Sequence, residues 1–330
     1  MKPFVFTRAT DADAAVQAAS QPGASFLAGG TNLVDLMKEG VAAPERLVDI
    51  NRLPLAAIEA QAGGGLRLGA LARNSDTADH RLVRLSFPLV AQAVLAGASG
   101  QLRNAATNGG NLRQRTRCPY FYDVSQPCNK REPGTGCSAL EGFNRSHAIL
   151  GTSQTCIATY PGDMAQALHA LDAVVQLQGP AGRRTIPITE FHRLPGDTPE
   201  LDANLRPGEL ITAIDLPGDG MRFAQRSHYL KVRDRASYAF ALVSVAAALD
   251  MDGDRIRQAR LCLGSVAHMP WRAREAEALL QGARPGRQAF RQAAEAALAG
   301  ATGFEHNRFK IEMARRAMVR ALETASRMTA

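Results

Sequence analysis

Aromatic side chains make up only 5% of this 330-residue chain. A nucleic-acid platform of many stacked rings is therefore not expected. Lysine is scarce as well. Five lysines stand among 39 basic residues, so arginine carries most of a net charge of +8, and arginine suits fixed anion contacts and interfaces. No apolar run is long enough to span a membrane: the longest, 236–249, is interrupted by Ser237, Tyr238 and Ser244. The N-terminus turns polar after Phe6, too early for a signal peptide, which predicts a soluble chain with no export signal of its own. There is no GxxxxGK(S/T), no HExxH and no GxGxxG opening a helix, so a P-loop, a zincin and a simple Rossmann site have no support. The seven histidines never pair at metal-ligand spacing, and no acid or base stands out as catalytic.

What is present is globular. A hydrophobic share of 45% beside 21% charged residues excludes wholesale disorder, and the length predicts roughly two domains. Thr10, with Asp13 three residues on, is the expected N-cap of a helix through Ala19. Ser25–Ala28 reads as a strand, Gly29-Gly30-Thr31-Asn32 as a turn and the next eight residues as a helix. Further strands are expected at 46–51 and 65–70, and a helix at 88–98 with Pro88 in its first turn. A second glycine turn spans 104–112. A helix should follow Pro161-Gly162-Asp163, then a hairpin of 174–177 with 184–188, then a strand at 209–216. A domain boundary falls near Met221. Beyond it, 223–232, 239–249 and 256–266 predict three strands, with Asp252-Gly253 turning the second into the third. Helices should follow near 272–280, 286–299 and 307–328. The expected class is α+β throughout, in two parts, 1–220 and 221–330.

Two features point to chemistry. Consecutive glycines let backbone N–H groups converge on phosphate oxygens without obstruction by Cβ, and a helix N-terminus adds a favourable dipole. Thr31, Asn32, Thr107 and Asn111 supply short side-chain donors beside the two turns. One such turn is ordinary turn chemistry; a pair suits a diphosphate, which needs donors from two sides. The second feature is cysteine. Cys118, Cys128, Cys137 and Cys156 fall within 39 residues, spaced C-x9-C-x8-C-x18-C, in a segment from 113 to 155 without apolar periodicity. Zinc knuckles use C-x2–4-C pairs. The wide spacing fits a loop wrapped around something larger, such as an iron–sulfur cube taking one thiolate per iron, although spacing alone leaves zinc open. Arg113, Arg115, Arg117, Lys130, Arg131 and Arg145 are expected to favour thiolates and offset an anionic cluster. Cys262 reads as a small buried hydrophobe, His147 as a surface or hydrogen-bonding residue of the Cys loop in preference to a ligand, and Asp163 equally as a helix N-cap or a ligand contact. The carboxylates at 250–254 lack the later bidentate Glu of a calcium loop.

These motifs resemble the FAD-binding subunits of the molybdenum hydroxylases, the xanthine dehydrogenase and aldehyde oxidoreductase family. The resemblance runs nearly end to end, through FLAGGTNLVDLMK at 26–38, RNAATNGGNL at 103–112, CIATYPGDMAQAL at 156–168, PGELITAIDLP at 207–217 and the segment around Lys231. It implies an FAD-binding fold of the vanillyl-alcohol-oxidase type, followed by a smaller C-terminal α/β domain with a three-stranded antiparallel sheet and helices. Carried over by position, Phe26, Leu27, Ala28, Gly29, Gly30, Thr31, Asn32 and Leu33 would wrap the FAD diphosphate. Thr107, Gly110 and Asn111 would close its other side, Asp163 would hold the ribityl or flavin region, Lys231 would lie near the isoalloxazine and Ile211 would touch the ring. The flavin should be non-covalent.

The departure from ordinary xanthine dehydrogenases is the insertion at about 113–156. It resembles the subclass with an additional [4Fe-4S] cluster, as in bacterial periplasmic aldehyde oxidoreductases, with Cys118, Cys128, Cys137 and Cys156 as ligands. The resemblance implies an electron-transfer subunit of a heterotrimer that passes electrons from a small [2Fe-2S] subunit to FAD and an external acceptor. Aldehyde would be oxidised at a molybdenum cofactor on a large partner subunit. Neither nucleic acid nor membrane insertion is expected. The compartment would be periplasmic if a twin-arginine-signal partner carries the chain across, and otherwise cytoplasmic. Alternatives are the flavin subunit of a xanthine dehydrogenase or hydroxybenzoyl-CoA reductase, a free-standing flavoprotein, or a zinc-stabilised basic nucleic-acid-binding protein.

Overall fold

Three short runs with apolar residues near the N-terminus form a parallel sheet: β1 (Val5–Arg8), β2 (Ala24–Leu27) and β3 (Arg46–Asp49), in the order β1-β3-β2. The structure is a computed structural model and describes residues 1–327. The helix between β1 and β2, Ala12–Ala19, is capped by Asp11, whose Oδ1 accepts the Ala14 N–H at 2.8 Å. Thr10, the expected cap, instead bonds to the Asp11 carboxylate. A carboxylate one residue later in the chain reaches the orphan amide better than the hydroxyl does.

A five-stranded antiparallel sheet follows, with β4 (Ile58–Ala60), β5 (Leu66–Gly69), β6 (Val174–Gly179), β7 (Gly182–Pro187) and β8 (Leu210–Leu216) in the order β4-β5-β8-β6-β7. More than a hundred residues separate β5 from β6. In that interval run the helix Pro88–Ala96, the second glycine turn, the cysteine segment and the helix Met164–Ala170. The inward residues Leu66, Leu68, Val175, Leu177, Ile214 and Leu216 pack in one core with Leu89, Val90, Val94 and Leu168 of the two helices.

The third sheet is antiparallel and consists of β9 (Ser227–Val232), β10 (Val243–Asp252), β11 (Arg255–Gly264) and β12 (Trp271–Arg272) in the order β12-β11-β10-β9. It has four strands rather than the three expected, because a two-residue strand is too short to show a period of two. Both faces are covered. Val243, Val245, Ala247 and Leu249 pack under the helices Arg274–Leu280, Arg287–Ala297 and Phe309–Arg327. Ala246, Ala248 and Cys262 turn into the core of the preceding sheet and its helices. A strand buried on both faces loses polar alternation, which explains the long apolar run in the sequence. Among the described residues, no helix is long and apolar enough to cross a membrane.

The cysteine segment does not remain the featureless loop that its sequence suggests. It forms the short helix Pro119–Tyr122 and an isolated bridge between Cys128 and Cys137. Its four cysteines share one apolar cluster with Leu36, Phe121, Ala139, Ile157 and Ala158. Sparse apolar residues brought in from three directions give it a core that no periodicity announces.

Candidate functional site

The two glycine turns meet. After β2 the chain turns at Gly30, whose φ of +73° is open to glycine without strain. Gly29 is pressed so closely on the segment before the second turn that a Cβ there would overlap the Ala105 carbonyl. Arg73 ties the two together, with Nη1 donating to Ala105 O at 2.6 Å and Nη2 to Asn51 Oδ1 at 3.2 Å, while Asn51 Nδ2 donates to Ala28 O at 2.9 Å. The second turn is braced from within. Thr107 Oγ1 accepts the Gly110 N–H, Asn111 Nδ2 donates to Asn74 Oδ1, and the fully buried Asn108 exchanges hydrogen bonds with Asn74 and Thr77. The Thr107 and Asn111 side chains are thus engaged with the protein. The Asn32 amide is half engaged: its Oδ1 accepts the Arg115 backbone N–H at 3.0 Å, while its Nδ2 is buried without a partner.

Between the turns lies a cavity of about 1550 Å³, above the roughly 300–1,000 Å³ of pockets for drug-sized ligands. Its wall contains every cofactor residue expected from the sequence, from Phe26 to Leu33, with Thr107, Gly110, Asn111, Asp163, Ile211 and Lys231. Asp163 precedes the helix Met164–Ala170 but makes no side-chain cap to it. Its carboxylate accepts from Lys231 Nζ through Oδ2 and from the Tyr229 hydroxyl through Oδ1, both at 2.7 Å. Burial pushes this carboxyl up, against the pull of Lys231. Ile211 is buried in β8, behind Gly109 of the second turn.

Arg113 also lines the cavity, where it is exposed, and its guanidinium has no ion-pair partner among the described residues. Sequence reasoning placed it with the cysteines, yet its position directly after the second glycine turn was the signal for the cavity. The other five cations of the segment are committed elsewhere. Arg115 pairs with Asp202 at 2.7 Å, Arg117 with Asp35 at 2.9 Å and Arg145 with Asp234 at 3.1 Å. Arg131 donates to the carbonyls of Tyr120, Phe121 and Gln126. Lys130 is buried against Pro199 O, His268 Nε2 and Asp202. Burial pushes Asp202 up, but Lys130 and Arg115 together draw it down to about 2.

The expectation that these cations favour thiolates is therefore corrected. Burial drives the Cys118 thiol up to about 12 and Cys156 up to about 11, so both carry protons at neutral pH. A metal group that displaces those protons must also meet donors that stabilise sulfur, and these are present. Backbone N–H groups of Tyr120 and Phe121 face Cys118, Ala158 N donates to Cys156 Sγ at 3.4 Å, and His147 Nε2 stands 3.1 Å from Cys118 Sγ. Cys262 lies far from this pocket, fully buried in β11. Among the described residues, no three of His, Cys, Asp or Glu are arranged to hold a metal ion, so neither zinc nor the cluster draws support from their present arrangement. Cys118 and His147 both reach the wall of the large cavity, so the cysteine pocket borders it.

Comparison with known proteins gives a consistent answer. The family described as FAD binding domain in molybdopterin dehydrogenase matches residues 2–219, and that of the CO dehydrogenase flavoprotein C-terminal domain matches residues 228–325. The chain is 50% identical, over 98% of its length and 99% of the relative's, to the aldehyde oxidoreductase FAD-binding subunit PaoB of Escherichia coli (strain K12). It is 28% identical to the carbon monoxide dehydrogenase medium chain of Hydrogenophaga pseudoflava, over 92% of this chain and 89% of that one. Among solved structures, the carbon monoxide dehydrogenase of Hydrogenophaga pseudoflava that lacks the Mo-pyranopterin moiety superposes with a TM-score of 0.77 at 27% identity, covering 100% of this chain and 99% of that one.

Proposed function

The chain belongs to the family of FAD-binding domains in molybdopterin dehydrogenases, and from that premise we propose that it is the electron-transfer subunit of a three-subunit, molybdenum-dependent aldehyde oxidoreductase. It is an FAD-binding oxidoreductase subunit; the aldehyde substrate and the partner subunits are the proposed part. The observation that carries the reading is the single cavity in which both glycine turns meet the Asp163–Lys231 pair. When bound, the flavin and a [4Fe-4S] cluster supply electron transfer between a partner's [2Fe-2S] centres and an external acceptor.

Each side chain then has a task. Backbone N–H groups of 28–32 bind the diphosphate, and the free Asn32 amide adds a donor. Those of 109–111 are already taken by Ala70 O, Thr107 Oγ1 and Thr107 O, so the second turn bounds the other side of the cavity without donating from its backbone. Arg113, exposed at the cavity wall without an ion-pair partner among the described residues, supplies positive charge for an anionic cofactor. Asp163 and Lys231 neutralise one another and present their remaining hydrogen-bonding capacity to the ribityl chain and flavin. Ile211 offers an apolar surface to the ring. Cys118, Cys128, Cys137 and Cys156 hold the cluster; their common pocket beside the cavity and the donors on two of their sulfurs support this. No residue of the cavity is required as an acid or base, in keeping with an aldehyde site on the large subunit. The compartment follows the partners, periplasmic with a twin-arginine-bearing one and cytoplasmic without.

Reconstitution tests the reading. The FAD-loaded chain alone should leave aldehydes untouched, while addition of the two partner subunits should let aldehyde bleach its flavin absorbance. Aldehyde oxidation by the isolated, molybdenum-free chain would overturn the assignment.

A further inference from the structure

His147 is 2% exposed, and its ring is the only side chain with a nitrogen in hydrogen-bond reach of a cysteine sulfur among the described residues, with Nε2 3.1 Å from Cys118 Sγ. Its place is set by the far end of the chain. Asn307 Nδ2 donates to His147 O at 3.2 Å and to Ala148 O at 3.1 Å. Lys310 Nζ donates to His147 O at 2.8 Å, and also to the carbonyls of Ser146 and Ser265. Asn307 and Lys310 are both fully buried. Two buried polar side chains of the C-terminal part therefore fix the backbone from which this imidazole projects, while Lys310 also holds Ser265 O and Asn307 Oδ1 accepts the Phe304 N–H. Residues 306 and 144 add a further tie, His306 N donating to Asn144 Oδ1 at 3.0 Å.

We infer that His147 is a positioning residue for the proposed [4Fe-4S] cluster, donating its Nε2–H to the sulfur of Cys118 and raising the cluster's reduction potential. The inference rests on the cluster assignment above. A cysteine bound to iron carries no proton, so a ring nitrogen at this distance must supply the hydrogen of the contact. Reduction adds one electron to an already anionic group. A donor on its ligand sulfur stabilises the more negative state and moves the potential upward. Cys118 is also the cysteine that borders the large cavity, as His147 does.

The test uses the assembled complex and two variants. Iron and acid-labile sulfide are counted per chain, and the cluster and flavin potentials are read in one EPR-monitored redox titration. His147→Phe should keep the full complement of iron while its cluster potential falls, by about 59 mV if the one-electron equilibrium shifts tenfold. The flavin potential should stay in place. His147→Gln, which keeps an N–H donor, should recover most of the shift. A full cluster with an unchanged potential in His147→Phe overturns the inference and leaves the cluster assignment intact. Wild-type complex with no iron beyond that of the partner's [2Fe-2S] centres overturns the cluster assignment itself. Should the Phe variant fail to fold, the wild-type complex labelled with 15N-histidine decides. A weak ring-nitrogen coupling to the reduced cluster is expected, and either its absence or the strong coupling of a direct ligand overturns the inference.

Discussion

Lys231 and Asp163, sixty-eight positions apart in the chain, form an ion pair of 2.7 Å at the wall of the cavity, with 5% and 9% of their side chains exposed. Lys231 comes from β9 of the C-terminal sheet, and Asp163 from the turn before a helix of the N-terminal part. The pair therefore joins the two parts of the molecule at the place where a flavin would lie, and flavin binding should depend on it.

Breaking a buried pair by removing one partner leaves an uncompensated charge, which costs about 3–5 kcal/mol. Lys231→Met and Asp163→Asn should each lower both the melting temperature and the FAD bound per chain. The double variant should lose less than the sum of the two, because neither charge is then stranded. Thermal melts and flavin-to-protein absorbance ratios measure all three. Full FAD loading in both single variants would put the pair outside the site.

Gly29→Ala should damage the first turn more than its small change in volume suggests. The new methyl group would overlap the Ala105 carbonyl, and that is backbone which cannot swing aside. At Gly30 the difficulty is different. A valine there meets Val34 at 3.1 Å and has to adopt φ +73°, a conformation that costs a β-branched residue more than about 1 kcal/mol. Both variants should purify with little FAD. From the wild-type chain, acid precipitation should release the flavin into the supernatant; yellow protein pellets would show a covalent bond instead.

Cys118→Ser, Cys128→Ser, Cys137→Ser and Cys156→Ser should each lower the iron content of anaerobically purified protein. Cys262→Ser should leave it unchanged, since that thiol is packed between sheets. Because burial holds the Cys118 and Cys156 thiols at about 12 and 11, loading the cluster should release protons, and reconstitution should quicken as pH rises. Stoichiometric zinc without iron would defeat the assignment.

Buried histidines set the response to acid. Burial lowers His192 and His268 to about 4 and His169 well below its ordinary 6.5. Between pH 6.5 and about 4 the unfolded chain takes up protons that the folded chain refuses, so stability is full above this window and falls as pH drops through it. Asp202, held at about 2, adds its loss only lower down, from about 3.8 toward 2. Melting temperatures should therefore decline below pH 6.5, before the acidic groups titrate. A flat profile from pH 7 to 4.5 would show that these rings are not buried neutral.

Local backbone was legible in the residues themselves. Gly-Gly pairs between an apolar run and a helical pattern marked both turns, Asp252-Gly253 marked the hairpin of β10 and β11, and four clustered cysteines marked a segment with a task. The misreadings have physical causes too. Asp163 sits where a cap belongs, and nothing nearby in the chain reveals that a lysine and a tyrosine from β9 take its carboxylate. The cations around the cysteines looked like charge balance, yet Asp35, Asp202 and Asp234, distant in sequence, claim three of them.

Patterns of two, three and four residues determine φ, ψ and which face is apolar, because those depend on neighbours along the chain. By themselves they determined the α+β class, the two glycine turns and, with the family resemblance, the residues of the cavity wall. Only the tertiary structure decided which polar atoms are spent and which are left for a ligand. It closed Thr107 and Asn111 into the second turn, left the Asn32 amide and the Arg113 guanidinium open, and set His147 against Cys118 through Asn307 and Lys310. The reason is that a buried donor or acceptor must find a partner within about 3 Å, and which group lies that close is fixed by packing across the whole fold.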